Sequence, residues 1–221
     1  MASRVAKNLL FDGLARVSRA LGNGHRLEIV DVLAQGERSV DDLALEIDES
    51  TANTSQHLQV LARAGLVRAR REGTRVFYRL AGDDVAALWE ALRGVAARHL
   101  ADVDVLASEY LGARGEIEQV GADELADRLA AGRVVVLDVR PAAEYKAGHI
   151  AGARSMPPDR LAEETAKLPK RAEIVAYCRG PYCVYADDAV RLLRERGLRA
   201  KRLDVGYPEW QRAGHPVDRV T

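Results

Sequence analysis

The sequence predicts two domains, a mainly α-helical N-terminal domain that contains a β-hairpin and a C-terminal α/β domain built on a parallel sheet. Apolar residues recur at helical spacing through most of residues 1–111, and one stretch indicates a hairpin. Short apolar strands alternate with helical stretches in residues 117–221, which is typical of a parallel sheet. A chain of 221 residues suits two domains of ordinary size. Residues 112–116, which include the sequence GARG, are the predicted linker.

The composition narrows the class of protein. With 48% hydrophobic and 30% charged residues, the chain is typical of a globular protein with buried cores. No apolar run approaches the roughly 18 residues of a membrane span, and the N-terminus lacks the pattern of a signal peptide. We therefore expect a cytoplasmic protein without membrane contact. The formal net charge is zero, so any surface for a polyanion must be local.

The first half contains a run of helical segments with recognisable ends. The segments LLFDGLARVSRAL and HRLEIVDVLAQG come first, and Ser39 can cap the next, SVDDLALEI. A short turn, DES, leads into STANTSQHLQVLARAG, which Ser50 or Thr51 can cap and Gly65 can end. Two short helices joined by a tight turn, the second rich in polar side chains, indicate a helix-turn-helix. The candidate DNA contacts on that helix are Thr51, Asn53, Thr54, Ser55, Gln56, His57, Gln59 and Arg63.

The stretch LVRARREGTRVFYRL predicts a hairpin, or wing, that turns around Glu72–Gly73. Six arginines and one acidic residue lie between Arg63 and Arg79. Such a local excess of positive charge suits phosphate contacts, while the polar helix suits base edges. The candidate phosphate contacts of the wing are Arg70, Arg71 and Arg75.

This ordered set resembles the ArsR-type winged-helix repressors. The resemblance lies in ALGNGHRLEIVDVLAQGERSVDDLA and TSQHLQVLARAGLVRARREGTRVFYRL, and it covers roughly residues 15–82. It implies a homodimer that binds a pseudo-palindromic operator in double-stranded DNA and represses until a signal releases it. Residues 83–111 form a predicted long amphipathic helix. The resemblance implies that this helix pairs across the dimer, although part of its apolar face could pack on its own domain.

The residues through which many ArsR-type proteins sense metals are missing here. Ser39 and Asp41 stand where a Cys-x-Cys pair would be, and His99 is the one histidine of the predicted last helix. Soft metals require thiolates or several imidazoles. We therefore predict no metal or other cofactor, and the signal must enter elsewhere in the chain.

Both cysteines of the chain, Cys178 and Cys183, lie in the loop YCRGPYC. This loop joins the predicted strand EIVAY to the helix YADDAVRLLRERG, so backbone N–H groups and the helix dipole should favour a thiolate on Cys178. Arg179 would add positive charge, and Gly180 would let the loop turn tightly. In a reducing compartment, two such cysteines are more often reactive than structural.

The second half resembles the rhodanese domain over about residues 117–219. The matching stretches are LDVRPAAEYKAGHIAGARSMP, the loop CRGPYC, and RLDVGYPEWQRAGHPV. The resemblance implies that Cys178 accepts sulfane sulfur as a persulfide, from a small donor such as a persulfide or thiosulfate. It assigns Asp138, Arg140 and His149 to the framework around the site.

The length and closing residue of the loop bear on its chemistry. Phosphatases with a similar loop need Cys-x5-Arg, but here the sixth residue after Cys178 is Val184. Cys183 closes the loop and could resolve a persulfide on Cys178 by thiol attack. Alternatively, Cys183 is a small packed residue without a redox role. Two thiolates with no third and fourth ligand nearby in sequence make a poor zinc site.

Together these patterns predict a DNA-binding repressor that senses reactive sulfur or an oxidant through Cys178 and Cys183. One alternative is an active sulfurtransferase tethered to a DNA-binding domain without signalling, and whether the domain turns over stays open. A further alternative is an inert rhodanese-like module that serves dimerisation or ligand binding.

Overall fold

The structure, a computed structural model, describes residues 3–112, 114–115 and 117–220. The chain divides into two compact units, one up to Val95 and one from Ala96 onward. Two residues of the predicted linker, Ala113 and Glu116, lie outside the described residues, as do the chain ends. The predicted domain border after residue 111 assigned residues 83–111 to dimerisation, and it stays a prediction.

The first unit combines a set of helices with a small antiparallel sheet. Its elements are α1 (Arg4–Leu21), α2 (Gly24–Leu33), β1 (Arg38–Ser39), α3 (Val40–Glu46), α4 (Thr51–Arg63), β2 (Val67–Glu72), β3 (Arg75–Leu80) and the start of α5 (Asp83–His99). The strand order is β1-β3-β2. Ile29, Leu43 and Leu58, from α2, α3 and α4, are fully buried in one core. The mainly helical winged architecture predicted for this half is therefore confirmed.

The ends of the helix-turn-helix are fixed by side-chain caps. The Ser39 hydroxyl accepts a hydrogen bond from the backbone N–H of Asp42 at the start of α3. Ser50 caps α4 in the same way by accepting from the N–H of Asn53. Gly65 takes a φ of 77°, the left-handed conformation that ends α4. These caps hold α4 in a defined register, so its outward face is set by the packing of its inward face.

The wing is a two-residue hairpin, as its sequence indicates. Glu72 pairs with Arg75, so the turn residues are Gly73 and Thr74, one position later than the predicted centre. Gly73 has a φ of 58°, which the tight turn requires and glycine adopts without strain.

The predicted single helix over residues 83–111 is wrong. The structure has α5 as far as His99 and a separate helix α6 (Ala101–Leu111), divided at Leu100, whose backbone is extended. Arg98 and His99 occupy the last turn of α5, whereas acidic residues occupy the first turn of α6. This charge order complements the dipoles of two helices better than that of one.

The second unit is an α/β domain. After α6 its elements are β4 (Gln119–Val120), α7 (Ala122–Ala130), β5 (Val134–Asp138), α8 (Ala142–Ala147), β6 (His149–Ile150), β7 (Arg154–Ser155), α9 (Pro158–Glu164) with a 3-10 turn (Thr165–Lys167), β8 (Glu173–Tyr177), α10 (Tyr185–Glu195), β9 (Arg199–Leu203), α11 (Tyr207–Arg212) and β10 (Val217–Asp218). Five strands form a parallel sheet in the order β4-β9-β8-β5-β7, which confirms the predicted α/β class. The central strand is β8, and the cysteine loop leaves its carboxyl end.

An ion pair at the end of β5 is completely buried. Arg140 and Asp138 side chains are both 0% exposed, and Arg140 Nη2 lies 2.6 Å from Asp138 Oδ2. Arg140 also donates to the Gly148 carbonyl, and the Tyr177 hydroxyl donates to Asp138. His149 is buried too, with Nδ1 2.8 Å from the Tyr145 carbonyl oxygen. These surroundings fit the framework role that the resemblance assigned to Asp138, Arg140 and His149.

Candidate nucleic-acid interface and thiol site

Most candidate DNA contacts on α4 lie on its solvent face. Exposed or half-buried side chains are those of Thr51, Asn53, Ser55, Gln56, His57, Gln59 and Arg63. Thr54 is the exception, because it is 0% exposed and its hydroxyl donates to the Ser50 carbonyl oxygen. Thr54 therefore belongs to the inward face with Leu58 and Leu61, and its assignment as a DNA contact is wrong.

Two polar residues of this face have protein neighbours. The Asn53 side-chain amide donates to Glu49 at 2.8 Å, so DNA binding would have to compete with that contact. The His57 ring stacks on the His25 ring with centroids 5.6 Å apart. Partial burial, followed by the nearby charge of Arg26 and His25, lowers the pKa of His57. A neutral imidazole offers one donor and one acceptor, which suits a base edge better than a phosphate.

The wing arginines differ in how their charge is balanced. Arg70 donates to both carboxylate oxygens of Glu37 and also pairs with Glu72 at 2.6 Å. Arg71 and Arg75 are exposed, and neither makes an ion pair within the described residues. Their charges are therefore available for phosphates, whereas that of Arg70 is largely compensated.

The cysteine loop is held between the central strand and the closing segment of the second unit. Cys178 directly follows β8, and its carbonyl oxygen accepts from the Tyr207 N–H at 3.2 Å. Gly206 permits this approach, because a Cβ there would lie 2.0 Å from the Arg179 carbonyl oxygen. The motif RLDVGYPEW thus supports the loop through a glycine that leaves room for its backbone.

The two cysteines are in contact, with Cys178 Sγ 3.6 Å from the Cys183 carbonyl oxygen, and their thiols differ in acidity. Burial raises the pKa of Cys178, but the Cys183 thiol, the Arg202 charge and the backbone N–H groups of Gly180 and Ala186 more than offset it and leave the pKa below its ordinary value. The hydrogen bond to Cys178, followed by burial, raises the pKa of Cys183 well above its ordinary value. Cys178 is therefore the more acidic thiol of the pair.

The predicted charge contribution of Arg179 needs correction. Arg179 Nε and Nη2 donate to Glu144 Oε1 at 2.9 and 2.6 Å, and the Glu144 side chain is 0% exposed. The charge of Arg179 is thus compensated by this carboxylate. The cation that favours the Cys178 thiolate is Arg202, which lies on β9 and donates to the Gly180 carbonyl oxygen at 2.9 Å. Gly180 contributes its N–H to the sulfur and its carbonyl to Arg202.

Two further residues at the loop have no signal in the local sequence. Asp187 is buried in the first turn of α10 and pairs with both Arg202 and Arg114. Its Oδ1 lies 3.0 Å from Arg202 Nε, at an angle that makes an ion pair rather than a hydrogen bond. Arg114 Nη1 donates to the Pro181 carbonyl oxygen at 2.5 Å. Their roles depend on contacts across the fold, so residue spacing could not reveal them.

Within the described residues, no group of three or more His, Cys, Asp and Glu side chains is arranged to hold a metal ion. The predicted absence of a metal stays a prediction. Across residues 3–112, 114–115 and 117–220, no helix has both the length and the apolar character that crossing a bilayer requires.

Comparisons with known proteins agree with the two halves of the structure. The family model "Bacterial regulatory protein, arsR family" matches residues 23–69, and the model "Rhodanese-like domain" matches residues 121–213. The HTH-type transcriptional regulator Rv0324 of Mycobacterium tuberculosis is 50% identical over 212 residues, which cover 96% of this chain and 93% of that protein.

Solved structures match each half separately. A homodimeric winged helix-turn-helix DNA-binding domain, Mb0332 fragment 1–100 from Mycobacterium bovis, is 49% identical and covers 45% of this chain and 91% of its own, with a TM-score of 0.42. A rhodanese-related protein from Thermoplasma volcanium is 25% identical over 47% of this chain and 99% of its own, with a TM-score of 0.43. The full-length relative and the two family matches confirm both predicted resemblances. The chain therefore belongs to the ArsR family of bacterial transcription regulators and carries a rhodanese-like domain behind its helix-turn-helix.

Proposed function

We propose that this regulator is a repressor that leaves its operator when reactive sulfur modifies Cys178. The observation that carries the proposal is the cysteine pair, in which the buried Cys178 Sγ lies 3.6 Å from the Cys183 carbonyl oxygen and Cys178 is the more acidic thiol. The helix-turn-helix supplies the DNA-binding function, and the rhodanese-like domain supplies the chemistry that a signal requires.

A homodimer on a pseudo-palindromic operator is part of this proposal. The unit up to Val95 leaves a set of apolar side chains in water, and a second copy of the chain is the partner that ArsR-type repressors use. On α1, Leu9 and Phe11 are 68% and 59% exposed. The exposed apolar side chains of α1 and α5 in this unit are those of Val5, Leu9, Leu10, Phe11, Leu14, Leu88, Leu92 and Val95. Exposed apolar side chains in this number favour association.

The chemistry takes place in two thiol–disulfide exchange steps. The Cys178 thiolate attacks the outer sulfur of a persulfide R–S–SH, forms the Cys178 persulfide and releases R–S⁻. Cys183, after losing its proton, then attacks the Cys178 sulfur, forms the Cys178–Cys183 disulfide and releases HS⁻. The two cysteines are oxidised and the sulfane sulfur is reduced, so no other oxidant is required.

Because the Cys178 thiol is buried, its reaction with a donor requires the cysteine loop to move. Cys178 is 2% exposed, whereas Cys183 is partly exposed. A donor therefore reaches Cys178 only when the loop moves, and a disulfide would hold the loop in a changed conformation. To release the operator, this change must be coupled to DNA affinity by about 1–3 kcal/mol, or roughly 5- to 150-fold.

The direct test is an operator titration with reduced protein and with protein treated with polysulfide, using DNA selected from the protein's own promoter region. We expect weaker binding after treatment, together with an added sulfur atom or a Cys178–Cys183 link in the intact mass. Modification with unchanged operator affinity would exclude the signalling role.

The wing provides a second expected result. Arg71→Ala or Arg75→Ala should weaken binding to all sequences similarly and reduce the slope of log affinity against log salt by about 1.8 per dimer, because one phosphate contact is lost in each protomer. Arg70→Ala should change the slope less, since Glu37 and Glu72 already compensate that charge. Fluorescence anisotropy at several salt concentrations measures the slope.

The matched contrast is Gln56→Ala on the exposed face of α4. This variant should reduce discrimination between operator and altered operators while leaving the salt slope unchanged. If Gln56→Ala and Arg71→Ala both left operator discrimination and salt slope as in the unaltered protein, α4 and the wing would not be the DNA-binding surface.

A second candidate function is sulfur transfer without signalling. An open pocket of about 640 Å³ is lined by Tyr185, the first residue of α10, and by Lys146 and Arg160 beside the acidic Asp159, but neither cysteine is among its lining residues. The two cations could hold an anionic donor such as thiosulfate. Thiosulfate would leave its sulfane sulfur on Cys178 and depart as sulfite, and cyanide would accept that sulfur as thiocyanate. Steady turnover without any effect on operator binding would favour this candidate.

A further inference from the structure

We propose that Arg114 is a positioning residue for the cysteine loop and connects the chain segment behind α6 to Cys178 through Asp187 and Arg202. This inference rests on the proposed function, in which Cys178 is the reactive group. It assigns a regulatory connection to a residue that lies outside the parallel sheet and outside the loop itself.

The first step concerns the two carbonyl oxygens that face the sulfur. Cys178 Sγ lies 3.8 Å from the Gly180 oxygen and 3.6 Å from the Cys183 oxygen. A thiol can donate to these oxygens, but a thiolate is repelled by their partial negative charge. Each oxygen is bonded to an arginine, Gly180 to Arg202 Nη2 at 2.9 Å and Cys183 to Arg114 Nη2 at 3.3 Å. The two guanidinium groups therefore offset the repulsion that a thiolate would meet.

Asp187 links the two arginines by pairing with both of them. Its carboxylate is 0% exposed, lies within 2.5 Å of Arg114 Nε, and pairs on its other oxygen with Arg202. A buried carboxylate is strongly destabilising when it loses a cation partner. Asp187 thus holds Arg114 against the loop, where Arg114 also bonds the Pro181 carbonyl.

Arg114 lies close to the end of α6 in the chain, so its contact with the cysteine loop can couple α6 to the loop. Arg114 follows the end of α6 at Leu111 by three residues, behind Gly112 with a φ of 68°. The Leu111 carbonyl oxygen accepts from Arg191 Nη2 on α10, at 3.3 Å. In this proposal, a displacement at the end of α6 is transmitted to Arg114, and a rearranged loop acts in turn on the end of α6. Such coupling is reciprocal by thermodynamic necessity.

The test measures thiol reactivity without DNA, in the full-length protein. Iodoacetamide alkylation of Cys178 and Cys183 is followed separately by peptide mass spectrometry over a range of pH. In Arg114→Gln we expect the midpoint for Cys178 to move to higher pH and its rate at neutral pH to fall about three- to tenfold. An unchanged Cys178 profile in Arg114→Gln would overturn the proposal.

Two matched variants separate this role from a general disturbance. Arg114→Lys keeps the charge but not the planar fork, so its midpoint should lie between those of the unaltered protein and Arg114→Gln. Arg128→Gln removes an arginine whose partners are Glu124 and Glu173 rather than groups of the loop, and a shift as large as that of Arg114→Gln would also overturn the proposal. Because no operator is involved, an alkylation shift with sulfur-insensitive DNA binding would reject the proposed function and leave the positioning role standing.

Discussion

Cys178→Ser is expected to abolish the response of operator binding to polysulfide, while the reduced variant binds operator as tightly as the unaltered protein. The serine hydroxyl cannot accept sulfane sulfur under these conditions, because its pKa lies far above that of a thiol. The unaltered protein should lose roughly 5- to 150-fold in affinity on treatment, which corresponds to a coupling of about 1–3 kcal/mol. Anisotropy titrations before and after treatment measure both values.

Cys183→Ser is the matched control for the resolving step. This variant should retain a stable persulfide on Cys178, visible as one added sulfur atom that a reducing agent removes, and should form no intramolecular disulfide. Its operator response then shows whether the persulfide or the disulfide is the releasing form. Release that survives in Cys178→Ser would contradict the proposed function, since the signal would have to enter through another group.

Within residues 39–65 the sequence predicted the order of elements well, because that order depends on local periodicity and caps. Ser39, Ser50 and Gly65 mark their helix ends in the structure as their residue types indicate. Thr54 shows where residue type misleads. Its spacing from Leu58 and Leu61 places it on the buried face, but its polarity suggested the DNA face.

The thiol site was predictable only in part, because its electrostatics come from distant chain segments. The two cysteines are evident from the sequence of the loop. The cation nearest to them in sequence, Arg179, however pairs with Glu144. Arg202 reaches the loop from the neighbouring strand, and Arg114 reaches Asp187 across 73 positions of sequence. Such contacts depend on which strands are neighbours and how far side chains extend. Neither property has a local pattern.

Asp138→Asn is expected to destabilise the rhodanese-like unit by about 3–5 kcal/mol. The substitution keeps the shape of the side chain but removes the carboxylate charge that Arg140 contacts, at a position where both side chains are 0% exposed. The Tyr177 hydroxyl would also lose the charged acceptor to which it donates. A buried, uncompensated charge is among the costliest defects a fold can carry, because neither water nor a counterion can reach it.

The unfolding free energy of this unit can be measured separately from that of the other unit. Trp210 is buried in the rhodanese-like unit, so in a Trp89→Phe background its fluorescence during urea denaturation reports this unit. Glu124→Gln is the control, since its ion pair with Arg128 is 54% exposed on the carboxylate side and should contribute at most about 1 kcal/mol. If Asp138→Asn shifted the urea transition no more than Glu124→Gln does, the Asp138–Arg140 ion pair would not contribute the stability expected of a buried pair. The framework role of Asp138 and Arg140 would then have to be abandoned.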